Sequence, residues 1–173
     1  FGAGALRHTL PLLEAGIEVC AVEFKEAFLR PSASEAQQVV EKNSLFHKLY
    51  WPDDFLRDDR KYGAALLLYV LQVIPLPAER QLVLKTLSKR VESEGLLLYA
   101  SRFGQVSPED SSHKVSDGYF RGEGREKQTF YREFGTPDTH DMMKKYGFHR
   151  LQSWSERGTE QWFLYGKGKV VCA

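Results

Sequence analysis

The chain has 173 residues, 42% hydrophobic and 27% charged, enough for one domain with a buried core and ordinary for a globular protein. Lys plus Arg number 24 against 23 Asp plus Glu, and the formal net charge of +1 excludes a chain-wide basic field that would select nucleic acid or an anionic membrane. Two cysteines without metal-ligand spacing, and no apolar run long enough to cross a bilayer, point to a reducing, cytoplasmic setting without a membrane partner.

The chain opens on the glycine pair Gly2 and Gly4. Leu6 to Ala15 places apolar residues at Leu6, Leu10, Leu12 and Leu13 and is followed by Gly16, which predicts a helix with its capping glycine, shortened or kinked by Pro11. Ile17 to Val22 is apolar and β-branched, a predicted strand. After the Pro31-Ser32 break, Ser34 to Asn43 predicts a helix with Ala36, Val39 and Val40 inward. Leu45 to Tyr50 reads as a strand and Pro52-Asp53-Asp54 as a turn. Ala64 to Val70 is an almost unbroken apolar run, the signature of a strand covered on both faces. Pro77 suits a first helical position, and Ala78 to Glu92 follows as a helix burying Leu82, Val83, Leu87 and Val91. Leu96 to Ala100, after Gly95, is the next strand. This alternation predicts an α/β fold: a doubly wound, mostly parallel sheet with helices on both faces.

From Ser101 to Phe134 the periodicity lapses, and 101–134 is expected to be a loop insertion in a single domain spanning 1–173. Thr136-Pro137-Asp138 is a helix start, with Met142, Met143 and Tyr146 as the apolar face and Gly147 as the stop. His149 to Glu156 and Gln161 to Tyr165 flank Arg157-Gly158-Thr159, which predicts a C-terminal antiparallel hairpin.

In a doubly wound sheet, glycines let the backbone approach a ligand at a helix N-terminus, and an acid at the end of the second strand accepts hydrogen bonds from ribose hydroxyls. Gly2, Gly4 and Glu23 stand at that spacing, with a strand between them. A lone Gly-x-Gly is equally a loop glycine pair with a solvated acid beyond it, and Arg7 stands where dinucleotide folds carry a third glycine. The five histidines are scattered, so no metal site is expected.

The order of these segments resembles the class I S-adenosylmethionine-dependent methyltransferases. Phe1-Gly2-Ala3-Gly4 looks like their first motif and Ala21-Val22-Glu23-Phe24 like the end of their second strand. Asp53-Asp54-Phe55 lies where a polar residue often meets the adenine. Tyr62 to Pro75 is similar to their fourth strand and its turn, Gly95 to Tyr99 to the fifth strand, and the closing hairpin to the sixth and seventh. The resemblance implies a Rossmann-like methyltransferase fold and S-adenosyl-L-methionine as cofactor, held by Gly2, Gly4, Glu23, Phe24, Asp54, Phe55 and Tyr69. It departs in two places. Gly63 replaces a common Asp, and the first strand with the acid at its tip is expected to precede Phe1, leaving the domain N-terminally incomplete.

Methyl transfer is an in-line displacement in which the enzyme chiefly aligns the reactants and excludes water. The residues after the fourth strand face the methyl group in such enzymes, which makes Tyr69 and Gln72 the candidate catalytic residues; Tyr69 is equally a core aromatic. The segment Ser116 to Arg132 follows the fifth strand and is expected to form a lid, with Tyr119, Arg121 and Tyr131 as acceptor contacts. Arg102 to Arg132, ends included, carries six Lys/Arg and five Asp/Glu, so it is no phosphate-binding basic stretch. The acceptor is open between a small molecule and a nucleic acid. A nicotinamide-dependent oxidoreductase and a non-catalytic interaction module are the alternatives.

Overall fold

The computed structural model describes residues 1–29, 31–103, 114–115, 117–121, 129–156 and 158–168; the side chains of 31–35, 114–115 and 121 lie outside the description. The chain divides into two compact units, Phe1–Asp59 and Arg60–Ala173.

The first unit carries helices α1 (Thr9–Glu14), α2 (Lys25–Phe28), α3 (Pro31–Val40) and α4 (Asp53–Arg57) with strands β1 (Val19–Glu23) and β2 (Phe46–Tyr50). β1 and β2 pair in parallel from Val19 opposite Phe46 to Glu23 opposite Tyr50. α1 starts later than the apolar spacing suggests because Leu6 sits at a φ of 60°, outside helical space. Pro11 then falls in the first turn, where backbone N–H groups have no intrahelical acceptor, and the helix is tolerant of it. The end of α1 is a Schellman motif. Gly16 adopts a φ of 75°, its N–H donates to Leu13 O at 2.9 Å, and Ile17 N–H donates to Leu12 O at 3.0 Å. Leu6, Leu13, Ala21, Phe28 and Val40 form the buried core, with Leu10, Val19, Ala36 and Phe46 packed against it. The stretch expected as a turn at Pro52 instead enters α4, with Asp53 and Asp54 in its first turn, where acids complement the helix dipole.

The second unit is built on a four-stranded sheet in the order β3 (Tyr62–Leu68), β4 (Val91–Arg102), β9 (Glu160–Lys167), β8 (Phe148–Glu156). β3 and β4 are parallel, and β9 runs antiparallel to both β4 and β8. The sheet is therefore mixed, because the closing hairpin enters it with β9 between β4 and β8. One face buries Leu67, Leu97, Tyr99, Phe163 and Tyr165. Helix α5 (Pro77–Arg90) buries Val83, Leu84 and Leu87, and α6 (Thr136–Lys145) buries Thr139 and Met143. Gly95 follows Glu94 (φ 69°), and a Cβ on Gly95 would meet Val91 Cγ1 at 2.7 Å and Gly63 O at 2.9 Å, so the strand closes on β3 only with glycine there.

The expected structureless insertion holds a second sheet. β5 (Lys114–Val115), β6 (Gly118–Arg121) and β7 (Thr129–Tyr131) pair antiparallel in that order. A Cβ on Gly118 would meet the Phe130 ring at 2.3 Å, so this glycine seats an aromatic ring and not a flexible turn. Among the described residues no helix is long and apolar enough to cross a membrane, and no cluster of three His, Cys, Asp or Glu could hold a metal ion.

Candidate functional site

In the first unit, the glycine turn and the strand-end acid meet. Gly2 and Gly4 take φ values of 70° and 51°, the left-handed region that glycine enters without steric cost. Gly2 N–H and Ala3 N–H both donate to Val22 O, at 2.9 and 3.2 Å, which lays the start of the chain along β1. Glu23 then turns back: its Oε2 accepts Gly4 N–H at 2.9 Å and its Oε1 accepts Phe24 N–H at 2.8 Å. A carboxylate has about four lone-pair sites, so these two bonds fix its position and leave capacity for further donors. Among the described residues, a Cβ on Gly4 would find only Gly2 O, at 4.0 Å, so the turn stands next to open space there.

The neighbouring cofactor candidates divide by role. Asp54 Oδ2 accepts Tyr50 N–H at 3.1 Å, and Trp51 N–H donates to Glu23 O at 2.9 Å, which ties the start of α4 to the end of β1. Phe55 is buried and belongs to a ring cluster, 5.8 Å from Phe1 and 6.4 Å from Trp51. Phe24 is 48% exposed beside the Glu23 carboxylate. The geometry thus places Gly2, Gly4, Glu23 and Phe24 together and gives Phe55 packing duties.

In the second unit, β3 ends on a strained residue. Tyr69 has a φ of 60°, costly for a bulky side chain, and its N–H is pinned to Ala100 O at 2.9 Å. Its hydroxyl is hydrogen-bonded to Glu160, its ring lies 4.8 Å below the Arg102 guanidinium and 5.9 Å from Trp162. Burial first, then the Glu160 carboxylate, push the Tyr69 phenol up to about 12. At neutral pH it is a proton donor and no base.

Gln72, 4% exposed, joins three elements. Its Oε1 accepts Arg102 N–H at 2.9 Å and its backbone O accepts Arg132 N–H at 2.8 Å. Tyr131 is buried, and its hydroxyl donates to Arg102 O at 2.7 Å. Tyr119 is half-buried opposite Tyr131 in the β6–β7 register. The Arg121 side chain lies outside the described residues. The turn after β3, the end of β4 and the end of β7 therefore form one hydrogen-bonded edge.

Sequence reasoning missed the charged knot that completes this edge. Arg80, 3% exposed in the first turns of α5, donates to Ile74 O at 2.6 Å and to the Asp117 carboxylate. The same Asp117 oxygen takes Arg132, whose guanidinium lies 4.6 Å from the Phe134 ring. Burial holds the Arg80 guanidinium below its ordinary value while Asp117 opposes that shift. Arg80 and Arg132 also line a cavity of about 400 Å³ with Phe134, Leu84, Met142 and Tyr146. The only sequence signal was an arginine three residues after a helix-starting proline, a spacing common to exposed helices.

No family model and no curated protein matches the chain. Solved structures do. A Burkholderia thailandensis 1,6-didemethyltoxoflavin N1-methyltransferase, with 1,6-didemethyltoxoflavin and S-adenosylhomocysteine bound, matches with a TM-score of 0.71 at 17% identity, over 97% of this chain and 69% of its own. A Methanosarcina mazei S-adenosylmethionine-dependent methyltransferase gives 0.73 at 14% identity, over 96% and 89%. A Synechocystis magnesium protoporphyrin IX methyltransferase with S-adenosylhomocysteine bound gives 0.66 at 16%, over 96% and 72%. The chain has the α/β fold of the S-adenosylmethionine-dependent methyltransferases.

Proposed function

We propose that the chain is a methyltransferase that uses S-adenosyl-L-methionine to methylate a small-molecule or nucleic-acid acceptor. The observation that carries this reading is the Glu23 carboxylate, held by Gly4 N–H across nineteen residues and set beside an open glycine turn. A carboxylate so fixed, with unused lone pairs, suits two ribose hydroxyls, and Gly2 and Gly4 admit a ligand close to the backbone. The cofactor, when bound, supplies an electrophilic methyl group. Glu23 would hold its ribose, and Asp54 and Phe24 would flank its base. Tyr69, protonated and pinned by its strained backbone, orients the acceptor; Gln72 keeps the Tyr69 turn against β4 and β7. The Burkholderia enzyme, with its heteroaromatic ligand bound, supports the small-molecule arm. In this reading, 1–173 works as one domain, and Tyr119, Arg121 and Tyr131 belong to the acceptor side.

Ultraviolet crosslinking with tritiated S-adenosylmethionine tests the proposal. Labelling of the chain should be blocked by S-adenosylhomocysteine and unaffected by NADH. Absence of labelling, or equal protection by NADH, contradicts it.

A further inference from the structure

The hairpin carries a pair of tryptophans whose arrangement exceeds what a sheet needs. Trp162 on β9 stands opposite Ala100 on β4 and opposite Trp154 on β8, so all three share one face of the sheet. The indoles of Trp154 and Trp162 are nearly parallel, 10° apart with centroids at 6.2 Å. Trp162 meets Tyr69 edge-on at 83°, and Arg102 covers the Tyr69 ring. An aromatic row thus runs from the strained turn at the end of β3 to β8, which pairs only with β9 among the described residues. Trp154 is 36% exposed, and Leu151, skipped in the β8–β9 register, is 55% exposed.

The second observation is polar. Trp162 Nε1 is buried and has no hydrogen-bond partner among the described residues. Buried indole N–H groups ordinarily find an acceptor, and an orphan one calls for an explanation. A cross-strand pair that served only the hairpin would leave this donor in water or on a carbonyl. Ala100 opposite Trp162 adds little more than a methyl group to this face, and Trp154 sits part-exposed on a strand that has one neighbour among the described residues.

We propose that Trp154 and Trp162 form the platform for the methyl acceptor, and that the acceptor carries a planar heteroaromatic ring with a hydrogen-bond acceptor atom. The ring stacks on the indoles, its acceptor atom takes the Trp162 Nε1–H, and the row of rings hands it towards Tyr69. This inference rests on the methyltransferase reading above and names the class of its substrate.

Calorimetry on protein saturated with S-adenosylhomocysteine tests it, with three probes: quinoline (planar, ring-nitrogen acceptor), indole (planar, without such an acceptor) and cyclohexanol (not planar). Quinoline should bind more tightly than indole, and cyclohexanol should not bind. Trp154→Leu should weaken quinoline roughly tenfold, the loss of one stacking partner. Trp162→Phe keeps a ring but removes the donor, and should abolish the preference for quinoline over indole. Each variant is first shown to bind S-adenosylhomocysteine as the parent does, and Trp154→Phe serves if Trp154→Leu does not. The acceptor class is overturned if quinoline does not bind the saturated protein, if Trp154→Leu binds it unchanged, or if Trp162→Phe keeps the preference. Failure of S-adenosylhomocysteine itself to bind overturns instead the methyltransferase reading.

Discussion

Glu23 and Tyr69 are the residues whose substitution is most informative. Glu23→Gln keeps one oxygen and loses the charge, so hydrogen bonds from ribose hydroxyls fall from charged to neutral strength. Bonds to charged groups contribute about 1.5–3 kcal/mol against about 1 for neutral ones, and S-adenosylhomocysteine affinity should fall roughly tenfold or more. An unchanged dissociation constant contradicts the role of Glu23. Tyr69 predicts a pH effect. Its phenol is raised to about 12 in the fold, chiefly by burial. An unfolded tyrosine titrates near 10. The stabilisation is therefore complete below about pH 10 and is lost as pH rises from there through about 12. Unfolding free energies measured by urea between pH 9 and 12 should fall less steeply in Tyr69→Phe than in the parent; parallel curves contradict the shift. The positions of both residues at strand ends were legible in the sequence because a glycine pair, a strand-end acid and a strand-end aromatic are local signals. The burial of Phe55 against Phe1 and Trp51 was not legible, because spacing does not reveal it. The place of Trp162 between Tyr69 and Trp154 was not legible either, since an aromatic in an alternating strand reads as core.

Among the elements, the sheet β5-β6-β7 depends on Arg80. Its guanidinium joins the Ile74 carbonyl, Asp117 and the rings of Phe130 and Phe134. Arg132 still neutralises Asp117 when Arg80 is removed, so the loss is that of buried hydrogen bonds from a charged group, about 1.5–3 kcal/mol. Arg80→Ala should show that loss in urea unfolding, and a change below about 1 kcal/mol contradicts a buried network. Helix α6 is held differently. Arg150 donates to His140 Nε2 at 2.9 Å, so His140 Nδ1, 2.8 Å from the Tyr165 hydroxyl, carries the proton of a neutral imidazole. Burial, then Arg150, hold His140 below its ordinary value. The contact is intact above the ordinary histidine value of about 6.5 and is lost as pH falls through the lowered one. Hydrogen exchange in α6 should accelerate below that pH in the parent but not in His140→Gln; pH-independent exchange in the parent contradicts it. The helices and the hairpin were readable because Gly16, Pro77, Gly147 and Gly158 punctuate regular apolar spacing. The second sheet was not, because its strands are two to four residues long and its glycine serves packing.

For the whole molecule, the alternation of helices and strands disclosed an α/β fold, and the structural likeness to methyltransferases at 14–17% identity bears that out. Strand order was beyond the sequence. The position of β9 between β4 and β8 follows from pairings some sixty residues apart, such as Tyr99 with Phe163, which local periodicity does not encode. The near balance of charge leaves recognition to built sites and not to a long-range field, so cofactor binding should depend on Glu23 and little on salt. Calorimetric titration of S-adenosylhomocysteine into the parent and into Glu23→Ala is the most direct test of the methyltransferase reading. One molecule should bind per chain, with affinity lost in the variant while its thermal unfolding remains cooperative. No heat of binding to the parent, or equal binding to the folded variant, contradicts it.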